Sequence, residues 1–489
     1  MSVTLYEHQH HGVEFLLNHK QAVLGDEMGL GKTLQTIVAC EELIKRDEAD
    51  EVIVVCPLAL KLNWHNEILK FTNTPAADII IVEGSPKTRE KLLQLPRRWL
   101  LINYEMLRIE GEKLLASQRE RRFIMVCDES HRIKNRKAKQ AKACVKLGEL
   151  ATRRYLLSGT FIANKPEDIW HQMHFLDEDL AGSYPGFLRL YCITKVMVFG
   201  RNRVEQIVGY KNLHWLKEEV GKVMLRRTKD QCLDLPNKVV QKIPVQMTSK
   251  QTKLYRQIAN ALVRSWSPSN RLQRMTYALE AASNPALIQP EVKIAALQAQ
   301  KKRLNDQQRA QLEFWQDLPT LAAEDGGKLH VLDDLLTLYC QEERRKVILW
   351  TFYVGNIKLF SERYRRYNPA LFYGQSSDKQ RQQSLQRLSD DPDCLLFIAN
   401  PQAAGVGLNL TQASLCIFFD RNFSSVDYQQ AVDRIHRIGQ TQACHILLLQ
   451  AQKSIDCYVD AVHENKIKIN DYLQSDAVAK ILAGDIESL

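Results

Sequence analysis

No uncharged apolar run in this sequence approaches the roughly 20 residues that a membrane-spanning helix needs, so no membrane partner is expected. The opening stretch MSVTLYEHQHHGVEFLL carries His and Glu where a secretory signal needs a basic start and an apolar centre. Eleven cysteines are scattered without a CxxC pair and without a Cys/His cluster at zinc spacing. That argues against a structural zinc site and fits free thiols in a reducing compartment. An intracellular protein is expected: cytoplasmic or nucleoid-associated in a bacterium or virus, nuclear in a eukaryote. Short tandem repeats are lacking, as are recognisable nuclease, zinc or histone-reading modules.

What is present starts with length. At 489 residues the chain exceeds what one hydrophobic core organises, so two or more domains are expected. The net charge of +10, from 67 basic and 57 acidic residues, permits a polyanionic partner without demanding one. Its distribution says more. Residues 131–146, HRIKNRKAKQAKACVK, hold seven Lys or Arg and no acid. Taken alone this is either a solvated helix face or a phosphate-facing surface.

Short β-branched-rich runs at 21–25, 51–57, 77–84, 99–104, 123–128 and 154–159 read as buried strands, and helix-period segments lie between several of them. After the first, KTLQTIVACEELIK places Leu34, Ile37, Val38 and Ile44 on one stripe. Repeated strand–helix–strand order means a parallel sheet covered on both faces. The alternation fades after about residue 180 and returns at 346–352, 370–374, 394–400, 414–420 and 445–450. The predicted architecture is therefore α/β, with two parallel-sheet lobes and helical insertions at 185–235 and 247–325. The boundaries are a first lobe at 1–180, an insertion and brace at 181–245, a helical insertion at 246–327, a second lobe at 328–475 and a tail at 476–489.

GDEMGLGKT (25–33) follows the first strand and opens the first helix, the context a phosphate loop needs. Gly29 and Gly31 let backbone N–H groups turn inward around phosphate oxygens, and the helix start adds its positive dipole end. Lys32 can reach the β- and γ-phosphates of ATP, and Thr33 can hold Mg²⁺. The strict pattern has glycine where this chain has Asp26, which is counted among the nucleotide contacts as part of the loop. FIMVCDESH (123–131) ends a strand with two adjacent acids. Asp128, at the carboxyl end of the sheet, is placed to hold Mg²⁺ through water, and Glu129 to orient or deprotonate the attacking water.

Those motifs, read with the second lobe, carry a resemblance. From about residue 3 to 470 the chain resembles the Swi/Snf-type ATPases of helicase superfamily two. The matching segments include LYEHQHHGVEFLL, CPLALKLNWHNEILKF (56–71), INYEML (102–107), DESHRIKN (128–135), LLSGTFIANKPEDIW (156–170), VMLRRTKDQCLDLPNK (223–238), AAGVGLNLTQAS (403–414) and QAVDRIHRIGQ (430–440). DESH, LRLYC (188–192) and DRIHRIGQ resemble the distant branch of fork-remodelling, annealing-type enzymes. The resemblance implies two RecA-like P-loop lobes. It implies that Gln9 reads adenine, that Trp64, Tyr104, Arg226, Arg227 and Asn409 serve nucleic-acid contact or coupling, and that Ser158 and Thr160 relay nucleotide state. Gly405 and Gly407 would join the nucleotide interface. Arg434 and Arg437, three apart in a stretch expected to be helical, would act as arginine fingers on ATP held by the first lobe, an effect on the order of 10³–10⁵ in rate.

Three departures stand out: Phe161 replaces the proline usual after Ser-Gly-Thr, Phe423 replaces a tryptophan, and the accessory domains of larger relatives are missing. The resulting expectation is a DNA-dependent ATPase that translocates on double-stranded DNA through its phosphate backbone and remodels DNA or protein–DNA complexes. Remodelling or annealing of forked DNA is the alternative, and so is a nucleotide-gated motor subunit with a protein partner.

Overall fold

The computed structural model describes residues 4–159, 161, 165–199, 202–263, 268–299, 306–404 and 408–464. Thr160, Gly405, Gly407 and the 476–489 tail lie outside them. The chain divides into two compact units, Met1–Leu235 and Pro236–Leu489.

The first unit is built from α1 (Glu7–Asn18), β1 (Gln21–Leu24), α2 (Lys32–Lys45), β2 (Glu51–Cys56), α3 (Lys61–Phe71), β3 (Ile79–Ile81), α4 (Pro86–Gln94), β4 (Trp99–Asn103), α5 (Tyr104–Gln118), β5 (Phe123–Asp128), α6 (Lys139–Gly148), β6 (Arg153–Leu157) and α7 (Glu167–Leu176). A hairpin of β7 (Cys192–Phe199) and β8 (Asn202–Tyr210) follows, and then a two-residue strand, β9 (Met224–Leu225). Seven strands pair in the order β3-β4-β2-β5-β6-β1-β9, and every pairing is parallel. The central strand β2, EVIVVC, is buried at all six positions, as a strand covered on both faces must be. Val23, Ile53, Val55, Leu100, Ile102 and Met125 pack with residues of α4 to α7 in one core. The alternate residues Ala22, Val52, Val54, Leu101 and Val126 are buried as well, which covers the opposite face. In α2 the buried side chains are Gln35, Thr36, Ile37, Ala39, Cys40 and Leu43. The packed stripe is therefore rotated from the expected one: Leu34, Val38 and Ile44 sit half-buried at its edges.

One sequence expectation is corrected here. The 185–235 segment is not simply helical, because its middle is the antiparallel β7–β8 hairpin, bulged between Ile193 and Thr194. β-branched residues such as Ile193, Val196, Ile207 and Val208 favour strand over helix. The basic run 131–146 begins in a short 3-10 helix, Ser130–Ile133, and enters α6 at Lys139.

The second unit contains β10 (Lys238–Val245), β11 (Val347–Trp350), β12 (Ala370–Phe372), β13 (Leu396–Ala399), β14 (Leu415–Phe418) and β15 (Cys444–Ala451). They pair in the order β10-β15-β14-β11-β13-β12, again all parallel. One face buries Val347, Leu349, Ile398 and Ile417 against Leu332, Leu336, Ile357 and Phe360. The other buries Ile348, Trp350, Phe397 and Phe418 against Leu388, Ala431, Val432 and Ile435. The predicted helical insertion is present as helices Ser249–Val263, Pro268–Ser283, Pro290–Gln298 and Asp306–Gln316. β10, placed by sequence in the brace segment, is an edge strand of the second sheet.

Candidate nucleotide site

In the first unit β6 lies between β1 and β5, so three functional strand ends stand side by side. The loop after β1 leads into α2, the acidic pair ends β5, and Ser158 follows β6 between them. Its N–H donates to the Leu24 carbonyl at 3.3 Å and the residue is buried. Within the loop Gly29 and Gly31 take φ of 91° and 76°, left-handed values that a side chain would strain. Gly31 is the residue that caps α2, so the loop turns directly onto the helix N-terminus. A Cβ at Gly31 would come within 2.4 Å of Gln9 Nε2. Gln9 is buried, and it donates to the Leu30 carbonyl at 3.4 Å while accepting from Tyr6 N–H at 3.1 Å. Its amide thus stands against the loop. Lys32 Nζ donates to the Asp26 carbonyl at 2.7 Å and the Glu27 carbonyl at 3.3 Å, which holds the ammonium inside the turn.

The acidic pair is held from several sides. Asp128 Oδ1 accepts from the Glu129 N–H at 2.9 Å, and Oδ2 accepts from the Trp64 indole N–H at 2.9 Å. Its carbonyl accepts from the Tyr104 hydroxyl at 2.7 Å. Burial pushes the Asp128 carboxyl up to about 6, the adjacent Glu129 carboxylate adds to the rise, and the Trp64 N–H and the Lys32 ammonium oppose it. Glu129 has φ 53°, an uncommon conformation for a non-glycine residue and one that tends to mark functional sites. Its carboxylate lies 3.3 Å from His131 Nδ1. Ser130 donates to Gln172 Oε1 at 2.8 Å, and the Gln172 amide donates to the Phe161 carbonyl at 3.4 Å. This chain of bonds joins the end of β5 to the segment after β6. Phe161, the departure from proline, is buried in the first unit's core and needs no other role.

The geometry bears on four assignments. Trp64 and Tyr104 are fully buried and spend their polar atoms on Asp128, so of the contact or coupling expected of them the side chains leave only coupling. Arg227 does not face a nucleic-acid surface either. Its N–H and Nε donate to Asp26 Oδ1 at 3.1 and 2.9 Å, and its Nη2 reaches Asp26 Oδ2 and Gln35 Oε1. Asp26, expected among the nucleotide contacts, therefore has its fully buried carboxylate engaged by Arg227 and Gln35, and only its carbonyl serves Lys32. Arg226, beside it, is exposed.

In the second unit the expected helix under the two arginines ends early. Helix Ser425–Val432 stops, and Arg434 and Arg437 lie on the turns beyond it. The physical cause is a set of competing bonds. Arg434 and Ile435 N–H donate three residues back, to Ala431 and Val432, and Gly439 has φ 97°. The Gln440 amide donates to the carbonyls of Ala413 and Ile435, both at 3.0 Å, and fixes the turn. Arg437 Nη1 donates to the Leu408 carbonyl at 2.9 Å, and Arg434 is buried. Asn409 is exposed, with Oδ1 accepting from Thr411 N–H at 3.3 Å. Phe423, in place of tryptophan, packs edge-on to Tyr458 at 5.7 Å between ring centroids.

Chemically, the first unit offers loop N–H groups, a lysine ammonium, a hydroxyl at Thr33 and two carboxylates. That is a set suited to a triphosphate and a hard cation. Among the described residues no group of three or more His, Cys, Asp or Glu is placed to hold a metal ion. Thr33 and Asp128 are the residues that could hold a hard cation beside a triphosphate. No helix among the described residues is long and apolar enough to cross a membrane.

Comparison with known proteins matches residues 8–309 to the SNF2-related domain and residues 327–439 to the helicase conserved C-terminal domain. The chain belongs to the SNF2-related family. It is 29% identical over 492 residues to "DNA repair and recombination protein RAD54-like" of Danio rerio and 27% identical over 498 residues to that of Homo sapiens. Each alignment covers 93% of this SNF2-related chain but only 65% and 64% of those proteins. Among solved structures, "Sulfolobus solfataricus SWI2/SNF2 ATPase core in complex with dsDNA" is similar at 24% identity and TM-score 0.42, covering 99% of this chain and 94% of that one.

Proposed function

We propose that this SNF2-related chain is an ATP hydrolase stimulated by double-stranded DNA, which it tracks along the phosphate backbone to remodel DNA or protein–DNA complexes. The observation that carries the reading is the first unit's phosphate loop set beside Asp128 and Glu129, in a chain whose second unit supplies Arg434 and Arg437. In this reading Lys32 binds the β- and γ-phosphates, Glu129 orients the attacking water, Gln9 reads adenine, and Mg²⁺ supplies charge stabilisation to the transferring phosphoryl group. Arg434 and Arg437 serve as arginine fingers, Gly405 and Gly407 contribute to nucleotide binding, and DNA acts by bringing the arginines into use. Ser158 and Thr160 relay nucleotide state.

The names of the similar RAD54-like proteins support DNA as the polyanion. So does the exposed row Arg136, Lys137, Lys139 and Lys142, which offers phosphate contacts without reading bases. Arg226 and Asn409, both exposed, are further candidates for backbone contact.

The test is ATP turnover with duplex, single-stranded and forked DNA at two salt concentrations. Duplex above single strand, falling steeply with salt, is the expected result. Forked DNA giving the highest rate would move the reading to fork remodelling or annealing. Stimulation only with an added protein would make the chain a motor subunit, and stimulation by no form of DNA would overturn it.

A further inference from the structure

The segment that leads out of the first unit is bonded to the phosphate loop along its length. β9 runs parallel to β1, and the pairing continues past it. Gly25 N–H donates to the Leu225 carbonyl at 2.8 Å and Glu27 N–H to the Arg227 carbonyl at 2.9 Å. Lys229 N–H then donates to Glu27 Oε2 at 2.8 Å. At the centre stands Arg227, whose guanidinium also donates to the His8 carbonyl in α1. One side chain therefore bridges α1, the loop at Asp26 and α2 at Gln35. Six residues beyond Lys229 the chain passes into the second unit.

Two features show that this cluster is built rather than incidental. Asp26 replaces the glycine of the strict phosphate-loop pattern, and a fully buried carboxylate there is costly unless paired. Arg227 supplies the pairing with a rigid fork that meets both carboxylate oxygens, which a lysine cannot do. Secondly, α1 approaches so closely at Gly12 that a Cβ there would lie 1.7 Å from Gln35 Oε1 and 2.9 Å from Arg227 Nη2. An added methyl group at that position would have to push aside the Gln35 amide and the Arg227 guanidinium.

We propose that Arg227 is a positioning residue for the phosphate loop. By clamping Asp26, Gln35 and the start of α1 together, it makes the loop and the connector to the second unit one mechanical piece. The inference rests on the nucleotide-site reading above. It adds that the loop's binding geometry depends on a residue about 200 positions downstream that touches no nucleotide.

The test titrates the full-length chain with ADP and Mg²⁺ by calorimetry, and measures the ratio of duplex-stimulated to basal ATP turnover. Arg227→Lys keeps the charge but loses the fork. It should weaken ADP binding by about tenfold or more and lower the stimulation ratio. Gly12→Ala should shift both readouts in the same direction although alanine favours a helix, so it decides the question should Arg227→Lys fail to fold. Arg98→Lys is the control for a general loss of stability. Arg98 forks onto Glu41 at 3.1 and 2.6 Å, outside the loop, and its variant should keep ADP affinity. ADP binding within twofold of the parent for both Arg227→Lys and Gly12→Ala, with Lys32→Ala having lost it, would overturn the clamp and leave the nucleotide site standing. Unchanged ADP binding in Lys32→Ala would overturn the nucleotide site itself.

Discussion

Replacing Trp64 by phenylalanine isolates one hydrogen bond at the acidic pair. The indole N–H lies 2.9 Å from Asp128 Oδ2, and both residues are buried. Phenylalanine keeps most of the apolar packing but leaves Oδ2 without that donor. A hydrogen bond to a buried charged group contributes about 1.5–3 kcal/mol. If that energy holds the carboxylate where the reaction needs it, turnover falls by about 10- to 150-fold. The variant also shrinks a core side chain, so a drop in stability alone proves nothing. Trp99 supplies the comparison, because it too is fully buried and donates its indole N–H to a carboxylate, Glu41, at 3.0 Å. Glu41 is not part of the site. The assay is DNA-stimulated ATP turnover of Trp64→Phe and Trp99→Phe, well below the melting temperature of each. Both should melt earlier, and only Trp64→Phe should lose turnover. Equal losses in the two variants, or Trp64→Phe within twofold of the parent, would refute the reasoning.

Other outcomes follow from the same structure. Glu129→Gln should retain ATP binding, followed by nucleotide titration, while single-turnover hydrolysis falls by about 10²–10⁴. Lys328, fully buried, pairs with Asp456 at 2.6 Å and donates to the Phe419 carbonyl at 2.9 Å. Lys328→Met strands the Asp456 carboxylate and should cost about 3–5 kcal/mol of stability in urea melts. Burial pushes the Glu280 carboxyl up to about 7, opposed by Lys293, so the fold favours its neutral form. That stabilisation is complete below the ordinary carboxyl range and is lost as pH rises through about 7. Glu280→Gln should therefore gain on the order of 1–3 kcal/mol over the parent at pH 8 and gain nothing at pH 4, read by thermal melts at the two pH values.

Much of this was legible in the sequence. The eleven apolar runs are strands because each is short, apolar and closed by turn or polar residues, and parallel pairing follows from the helices between them. GDEMGLGKT and FIMVCDESH stand at strand ends one strand apart in one sheet, as glycine placement and adjacent acids after a strand lead one to expect. The aromatic residues were harder. Trp64 was expected to serve nucleic-acid contact or coupling, and with Ile68 four residues on it forms the buried stripe of α3; that spacing was the available signal against contact. Tyr104 opens a helix straight after a buried strand, where nothing local separates core from surface. β9 is two residues long, too short for any period to register. β10 is an edge strand with Val239 and Val240 exposed, so its pattern does not alternate. The Arg227–Asp26 pair spans about 200 residues, and no short-range pattern reports it. The turns under Arg434 and Arg437 depend on the Gln440 amide reaching back to Ala413, again a tertiary contact.

The central proposal is that Arg437 is needed for duplex-stimulated turnover and not for ATP binding. Arg437→Ala tests it most directly, with ATP binding and duplex-stimulated turnover measured on the same preparation. Near-parental ATP binding together with lost duplex stimulation is the expected result. Weakened ATP binding with stimulation intact would contradict it.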